Sequence, residues 1–330
     1  MYTWLTWVDA VSVAQLKERD ASIHADNRAL GRLDSSAAAE SFGYNPFFVD
    51  ANRPGLVIYL DLDPTVSWDF KTQPGALRRV VMNILGNSLK FTQEGFVWIS
   101  LRQAELPPRD RVQRSKVVIT ISDSGKGISE DFLRNDLFKP FTQEDHLVPG
   151  TGLGISLVHS ISRTLGGSLA ITSQLGRGTT ARIALPLLRS TTPSNRGAFL
   201  TEKFEQLRGL RICLRGFDRC YDRVMDQLPD QPSQVSEAAV MEMLCRDWLG
   251  MLVIPIAAVQ DTPDLFLYSE NAFMEQHDDA FQPALPTVIV CQSALTAYAF
   301  THSPRKSRLT EFISQPYVLL YPYTVVLLTH

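Results

Sequence analysis

Four short strings follow one another in the order Asn83 to Asn87, Asp123 to Gly127, Phe138 to Phe141 and Gly150 to Gly154, and they restrict the fold of this chain most. Together they read as a nucleotide pocket. The first lies in a stretch from Gln73 to Thr92, where Pro74 suits a first helical position and Leu77, Val81, Ile84 and Leu85 recur at helical spacing. The spacing predicts an amphipathic helix with one buried stripe. Asn83, Asn87 and Lys90 follow at i, i+4 and i+7 on another face. Two amides and an ammonium there offer acceptor oxygens and positive charge, which suits phosphates and a hydrated magnesium ion. Mg²⁺ keeps several waters beside a nucleotide, so one Asn oxygen can serve it. Taken alone, a solvated polar face accounts for the same residues.

The second string follows a strand-like run, Lys116 to Ser122, and reads Asp123-Ser124-Gly125-Lys126-Gly127-Ile128. A carboxylate at a strand end can accept a hydrogen bond from an exocyclic amine such as the N6 of adenine. The glycines after it let backbone approach a flat ring without Cβ contacts. A tight turn is the plain alternative. The fourth string, Gly150-Thr151-Gly152-Leu153-Gly154, precedes an apolar periodic run from Ile155 to Leu165 that ends in Gly166-Gly167. It reads as a glycine-rich loop opening a helix, whose unpaired N–H groups and dipole form an anion site. Neither a lysine-serine P-loop ending nor a strand directly before the glycines is present, so the dinucleotide and P-loop readings fall away.

The ordered set resembles the N, G1, F and G2 boxes of the histidine-kinase ATP-binding domain, within the GHKL ATPase superfamily, over roughly Thr65 to Leu188. The resemblance implies a two-layer α/β sandwich, a mixed sheet with helices on one face. It also implies ATP and Mg²⁺ as ligands: Asn87 holds the metal, Lys90 meets phosphate, Asp123 binds adenine N6, and Asn83 is the polar residue beside the attacking group. Gly125, Gly127, Gly150, Gly152 and Gly154 match the pocket glycines. Ile128 and Leu153 belong to the same two boxes, and Thr151 matches the hydroxyl beside the phosphates. Phe138 and Phe141 match the aromatic box before a lid from Thr142 to Pro149, and Thr179, in Gly176-Arg177-Gly178-Thr179, supports the adenine end. Hydrolytic members of the superfamily carry a glutamate where this chain has Asn83. An amide is a poor general base, so the kinase branch is favoured. There the γ-phosphoryl passes to a neutral histidine nitrogen, and positioning and charge neutralisation supply most of the catalysis.

The acceptor histidine of such kinases sits in a Ser-His-Glu-type string on a helical hairpin, and no such string occurs here; His24 lacks the following acid and proline, and His146 and His159 match no acceptor pattern. An acceptor hairpin, or a histidine kinase partner, is therefore expected in trans, with a receiver or phosphotransfer protein downstream. Residues 1–55 read as a linker or the remnant of an upstream helical region, with Val11 to Arg19 helical and Trp4 and Trp7 able to pack on a missing partner. Residues 56–188 form the ATP-binding domain, opened by a strand at Leu56 to Pro64, and 189–208 a linker.

From residue 209 to 330 strand-like and helix-like segments alternate: Leu210 to Leu214, Met241 to Trp248, Met251 to Ile256, Asp264 to Tyr268 and Pro286 to Cys291. This predicts a smaller, doubly wound α/β domain in the position of a hybrid kinase's receiver. Its chemistry is degenerate. Arg215-Gly216 stand where an acidic pair is needed, Ser269 where the phospho-accepting Asp should be, and Gln315 where the Lys should be, so phosphoaspartate chemistry is not expected. An unrelated α/β domain fits as well, and Tyr317 to His330 does not resemble a finished receiver end, which suits a truncated chain.

With 330 residues, 45% of them hydrophobic and 20% charged, the chain can bury two ordinary cores, and a net charge of -3 gives no general pull toward nucleic acid. Cys213, Cys220, Cys245 and Cys291 lack paired metal spacing, and no apolar run reaches the length of a membrane span. A reducing cytoplasm is the simplest setting. Three functions stay open: phosphotransfer to a histidine on another chain, a catalytically silent ATP-binding regulatory module, and a GHKL-type ATP hydrolase, which Asn83 disfavours.

Overall fold

The computed structural model describes residues 55–314, apart from 63–65, 110–111, 146–149, 191–204, 223–233, 256–261, 277–284, 293 and 304–306. The expected N-terminal helix, His24, His146, most of the linker and Gln315 to His330 lie outside the described residues.

The first half is a mixed sheet with helices on one face. Its elements in chain order are β1 (Leu56–Leu62), β2 (Phe70–Lys71), α1 (Pro74–Phe91), β3 (Gly95–Arg109), β4 (Val112–Asp123), α2 (Glu130–Asn135), α3 (Gly154–Thr164), β5 (Ser168–Gln174) and β6 (Gly178–Arg189). The strands run β1-β3-β4-β6-β2, with β5 also paired to β6; β1 lies parallel to β3 and the remaining pairs are antiparallel. Helix α1 starts at Pro74 and buries Leu77, Val80, Val81, Ile84, Leu85 and Ser88, a continuous stripe at 3.6-residue spacing. Those side chains meet Val97, Ile99, Ile119, Ile121, Ile183 and Leu185 on one face of the sheet, with Val158 of α3. Each aliphatic side chain of this size contributes about 1.5–3 kcal/mol on full burial. The stripe therefore fixes the rotation of α1, which turns Asn83, Asn87 and Lys90 away from the core.

The second half carries β7 (Arg211–Arg215), a β8 (Cys220–Asp222) and β9 (Gln234–Ser236) hairpin, α4 (Glu237–Met243) running into a π-helical turn at Leu244–Trp248, β10 (Leu252–Val253), β11 (Leu265–Ser269), α5 (Glu270–Gln276), β12 (Thr287–Cys291), α6 (Ala294–Thr301) and β13 (Thr310–Ser314). Five strands pair in parallel as β10-β7-β11-β12-β13. In chain order this is 2-1-3-4-5, one of the two common doubly wound orders. Two details differ from the sequence reading. The helix expected from Met241 begins four residues earlier, because Ser236 accepts a bond from the Ala239 N–H and Glu237 sits in its first turn. The strand expected over Met251 to Ile256 pairs only at Leu252–Val253.

The two halves share apolar contacts. Val57 and Tyr59 of β1, with Phe96 and Trp98 of β3, point to the face of the first sheet opposite α1. They join Ile212, Val240, Met241, Cys245 and Leu267 of the second half in one buried cluster. The Phe96 and Tyr221 rings lie 5.5 Å apart, and the Gly55 N–H donates to Gln292 Oε1 at 3.1 Å.

Candidate functional site

The polar face of α1 and the glycine-rich loop before α3 come together. A Cβ placed on Gly154 would lie 3.1 Å from Asn83 Oδ1 and 3.9 Å from Asn87 Nδ2, and one on Gly150 would lie 3.2 Å from Lys90 Nζ. Bare backbone thus faces all three side chains of the i, i+4, i+7 set. Asn83 donates its amide Nδ2 to the Arg79 carbonyl at 2.7 Å, which leaves Oδ1 turned toward the loop. Burial, and then the neighbouring charge of Lys126, lower the Lys90 ammonium from its ordinary range. An anion beside these two cations would relieve that repulsion.

Helix α3 begins without a side-chain cap at Leu153 and without an acid in its first turn. Helix α2, by contrast, is capped by Ser129 and carries Glu130 and Asp131 in its first turn. The first N–H groups and the positive dipole end of α3 therefore remain for a guest anion. Thr151 is exposed at the mouth of this loop, and Leu153 is half-buried.

Asp123 ends β4 and is only 7% exposed. Its Oδ1 accepts from the Gly125 and Thr179 N–H groups, both at 3.1 Å, and its Oδ2 accepts from Ser88 Oγ at 2.7 Å. Burial pushes the carboxyl above its ordinary value, and these three bonds pull it partly back. Thr179 supports Asp123 through its backbone, while its hydroxyl pairs with Ser173 at 2.8 Å. The same Ser173 oxygen accepts from the Ile128 N–H at 2.8 Å. Gly125 and Gly127 are buried, and a Cβ on either would meet backbone within 3 Å.

Phe138 and Phe141 face outward instead of filling the core. Phe138 lies against the His159 ring at 4.7 Å, and Phe141 is 75% exposed. Phe141 has φ +65°, and among the described residues it is the only non-glycine with positive φ. Its N–H donates to the Gly152 carbonyl at 3.1 Å, so the aromatic string is clasped to the glycine loop. From the lid, Asp145 pairs with Lys126 at 3.2 Å and Glu144 accepts from the Ser129 N–H at 2.8 Å.

The sequence reading leaves out Phe91. Its ring has Lys90 Nζ at 4.8 Å and Lys126 Nζ at 4.7 Å from the centroid, and its carbonyl accepts from the Lys126 N–H. An aromatic directly after Lys90, at the end of the helix that carries the amides, is the signal that points to it.

In the second sheet, Arg215 ends β7 and Ser269 ends β11. The Ser269 hydroxyl accepts from the Ala272 N–H at 3.2 Å and so caps α5. Among the described residues no group of three or more His, Cys, Asp or Glu side chains is placed to share a metal ion, and no helix is long and apolar enough to cross a membrane.

Residues 72–189 match the family described as histidine kinase-, DNA gyrase B-, and HSP90-like ATPase. The chain is 35% identical over 248 residues to the virulence sensor protein BvgS of Bordetella bronchiseptica, a match covering 71% of this chain and 18% of that protein. It is 30% identical over 169 residues to the peroxide stress-activated histidine kinase mak2 of Schizosaccharomyces pombe, covering 50% and 7%. With the hybrid signal transduction histidine kinase A of Dictyostelium discoideum it shares 35% over 127 residues, covering 36% and 6%. The chain thus spans less than a fifth of the length of these relatives. Among solved structures, full-length ShkA in complex with AMPPNP superposes with a TM-score of 0.56 at 18% identity, covering 85% of this chain and 53% of that one, a likeness of fold.

Proposed function

Residues 72–189 are a histidine-kinase-type ATPase domain of the GHKL superfamily with hybrid histidine kinases as relatives, and from that premise we propose that this chain binds ATP with Mg²⁺ and passes the γ-phosphoryl to a histidine on a hairpin of another chain. The observation that carries the proposal is the convergence of Asn83 and Lys90 on the glycine loop, with Asn87 beside them and the buried Asp123 carboxylate bonded to the same helix through Ser88.

In this reading Asp123 accepts the exocyclic amine of adenine, and the half-exposed Phe91 ring offers its face to the base once the lysines turn to phosphate. The first turn of α3 and Lys90 hold the phosphates. A magnesium ion would be held by the amide oxygen of Asn87 together with the phosphates, and would neutralise charge on the transferring group. Asn83 aims an amide oxygen, which orients a partner by accepting a hydrogen bond and is too weak a base to activate water. A neutral imidazole brings its own lone pair, so positioning and charge neutralisation are what this chain must supply. The second half reads as a receiver-like domain without phosphoaspartate chemistry, since Ser269 serves as a helix cap.

The test is calorimetric ATP binding with and without Mg²⁺, followed by radiolabelled ATP offered to the chain with and without an added histidine-kinase hairpin. Mg²⁺-dependent binding and label on the hairpin alone is the expected result. Binding without transfer would leave a regulatory module, and phosphate release by the isolated chain would favour a hydrolase.

A further inference from the structure

Ser88 interrupts the apolar stripe of α1. It is 5% exposed between neighbours that are aliphatic, where an alanine would extend the apolar stripe. Its hydroxyl hydrogen is given to Asp123 Oδ2 at 2.7 Å, across the gap between α1 and the end of β4. Oδ1 is already filled by the Gly125 and Thr179 N–H groups. A carboxylate has about four lone-pair sites, so three are committed and one on Oδ2 remains.

We propose that Ser88 is the positioning residue that makes this pocket select adenine: by donating to Oδ2 it orients the Asp123 carboxylate and leaves a single acceptor site open toward the base. An exocyclic amine satisfies that site. The C6 carbonyl of guanine would set two acceptors face to face, and Ser88, its hydrogen committed, cannot donate to it. The inference rests on the proposed ATP site and adds to it the residue that sets base choice. The sources that shift Asp123 are burial, Ser88, Gly125 and Thr179, none of them a charged side chain, so a change in its titration reports the hydroxyl.

The test uses the full chain with Ser88→Ala, Ser88→Thr and Asp123→Asn, measuring ATP and GTP dissociation constants from pH 5 to 8. Ser88→Ala should lower ATP affinity about tenfold, the scale of a lost hydrogen bond to a charged group, while GTP affinity stays level. The acidic limb of ATP binding should move to higher pH, because a bond that favours the ionised carboxyl is gone, and Ser88→Thr should restore both. An unchanged ATP-to-GTP ratio in Ser88→Ala, or equal losses for both nucleotides, overturns the inference. If Asp123→Asn still abolishes adenine preference in that case, the ATP site stands and only the role of Ser88 falls. If neither variant alters base preference, the assignment of Asp123 falls with it.

Discussion

At the scale of single residues, the role proposed for Asp123 sets stability against binding. Its carboxyl is raised in the folded protein, so the folded state binds the proton more tightly than the unfolded chain does. The contribution of this group to stability is then fully present below the ordinary carboxyl range and is lost as pH rises through the folded-state value. Asp123→Asn removes the cost of a buried charge and keeps an oxygen for the Gly125 and Thr179 N–H groups. It should raise the melting temperature at pH 7 by about 2–4 °C, the shift expected for about 1 kcal/mol in a domain of this size, while adenine affinity is lost. Thermal unfolding from pH 4 to 8 beside calorimetry checks both; a variant that melts lower and binds normally would contradict the assignment. Asp123 was legible because a carboxylate at a strand end followed by glycines is a pattern of side chains. The support from Thr179 comes from its backbone N–H, a group every residue but proline has, so sequence could mark the position without its means.

Cysteine chemistry follows from burial in the same way. Cys245 lies inside the shared cluster, and burial pushes its thiol up to about 12, whereas Cys220 is exposed. A thiolate reagent at pH 7.5 should modify Cys220 first, with Cys245 protected until unfolding. Peptide mapping after brief labelling reads this directly, and early modification of Cys245 would mean that the cluster opens.

At the scale of elements, the site depends on how the Phe141 turn is clasped to the glycine loop. Gly152 has φ +68°, and a Cβ there would lie 2.7 Å from the Phe141 carbonyl carbon and from Thr142 O. Gly152→Ala must therefore displace backbone that α3 uses to present its N-terminus. We expect ATP affinity to fall about tenfold, on the scale of the roughly 1–2 kcal/mol left-handed penalty, with helix content by circular dichroism unchanged. Affinity equal to that of the parent protein would show the clasp to be dispensable. Helix α1 was readable because its two faces follow one period, apolar at Leu77, Val81, Ile84 and Leu85, polar at Asn83, Asn87 and Lys90. Phe91 carried only its place directly after Lys90 as a signal, because what an aromatic at a helix end meets depends on which loop returns beside it, here the turn holding Lys126.

At the scale of the whole molecule, the unexpected feature is the second face of β1 and β3. The run Leu56-Val57-Ile58-Tyr59-Leu60 is apolar at every position, the mark of a strand covered on both sides, whereas β5 alternates in exposure along its length. The run does not say what covers its second face, and α4 lies too far along the chain for local pattern to show it. Ending the chain at residue 189 would bare Val57, Tyr59, Phe96 and Trp98, each of which gains about 1.5–3 kcal/mol or more from burial. The shortened protein should melt several degrees lower and bind a hydrophobic dye that the full chain ignores, and a shortened form as stable as the parent would make the shared cluster incidental.

A cluster drawn from two sheets also joins their thermodynamics. If neither half can open without baring the same side chains, the chain unfolds in one cooperative step, and occupancy of one half insures the other. Nucleotide at 100 times its dissociation constant adds about 2.7 kcal/mol to whatever opens with its site. Amide hydrogens of β12, a strand of the second sheet that holds none of the pocket residues named above, should then exchange roughly a hundredfold more slowly when the pocket is filled.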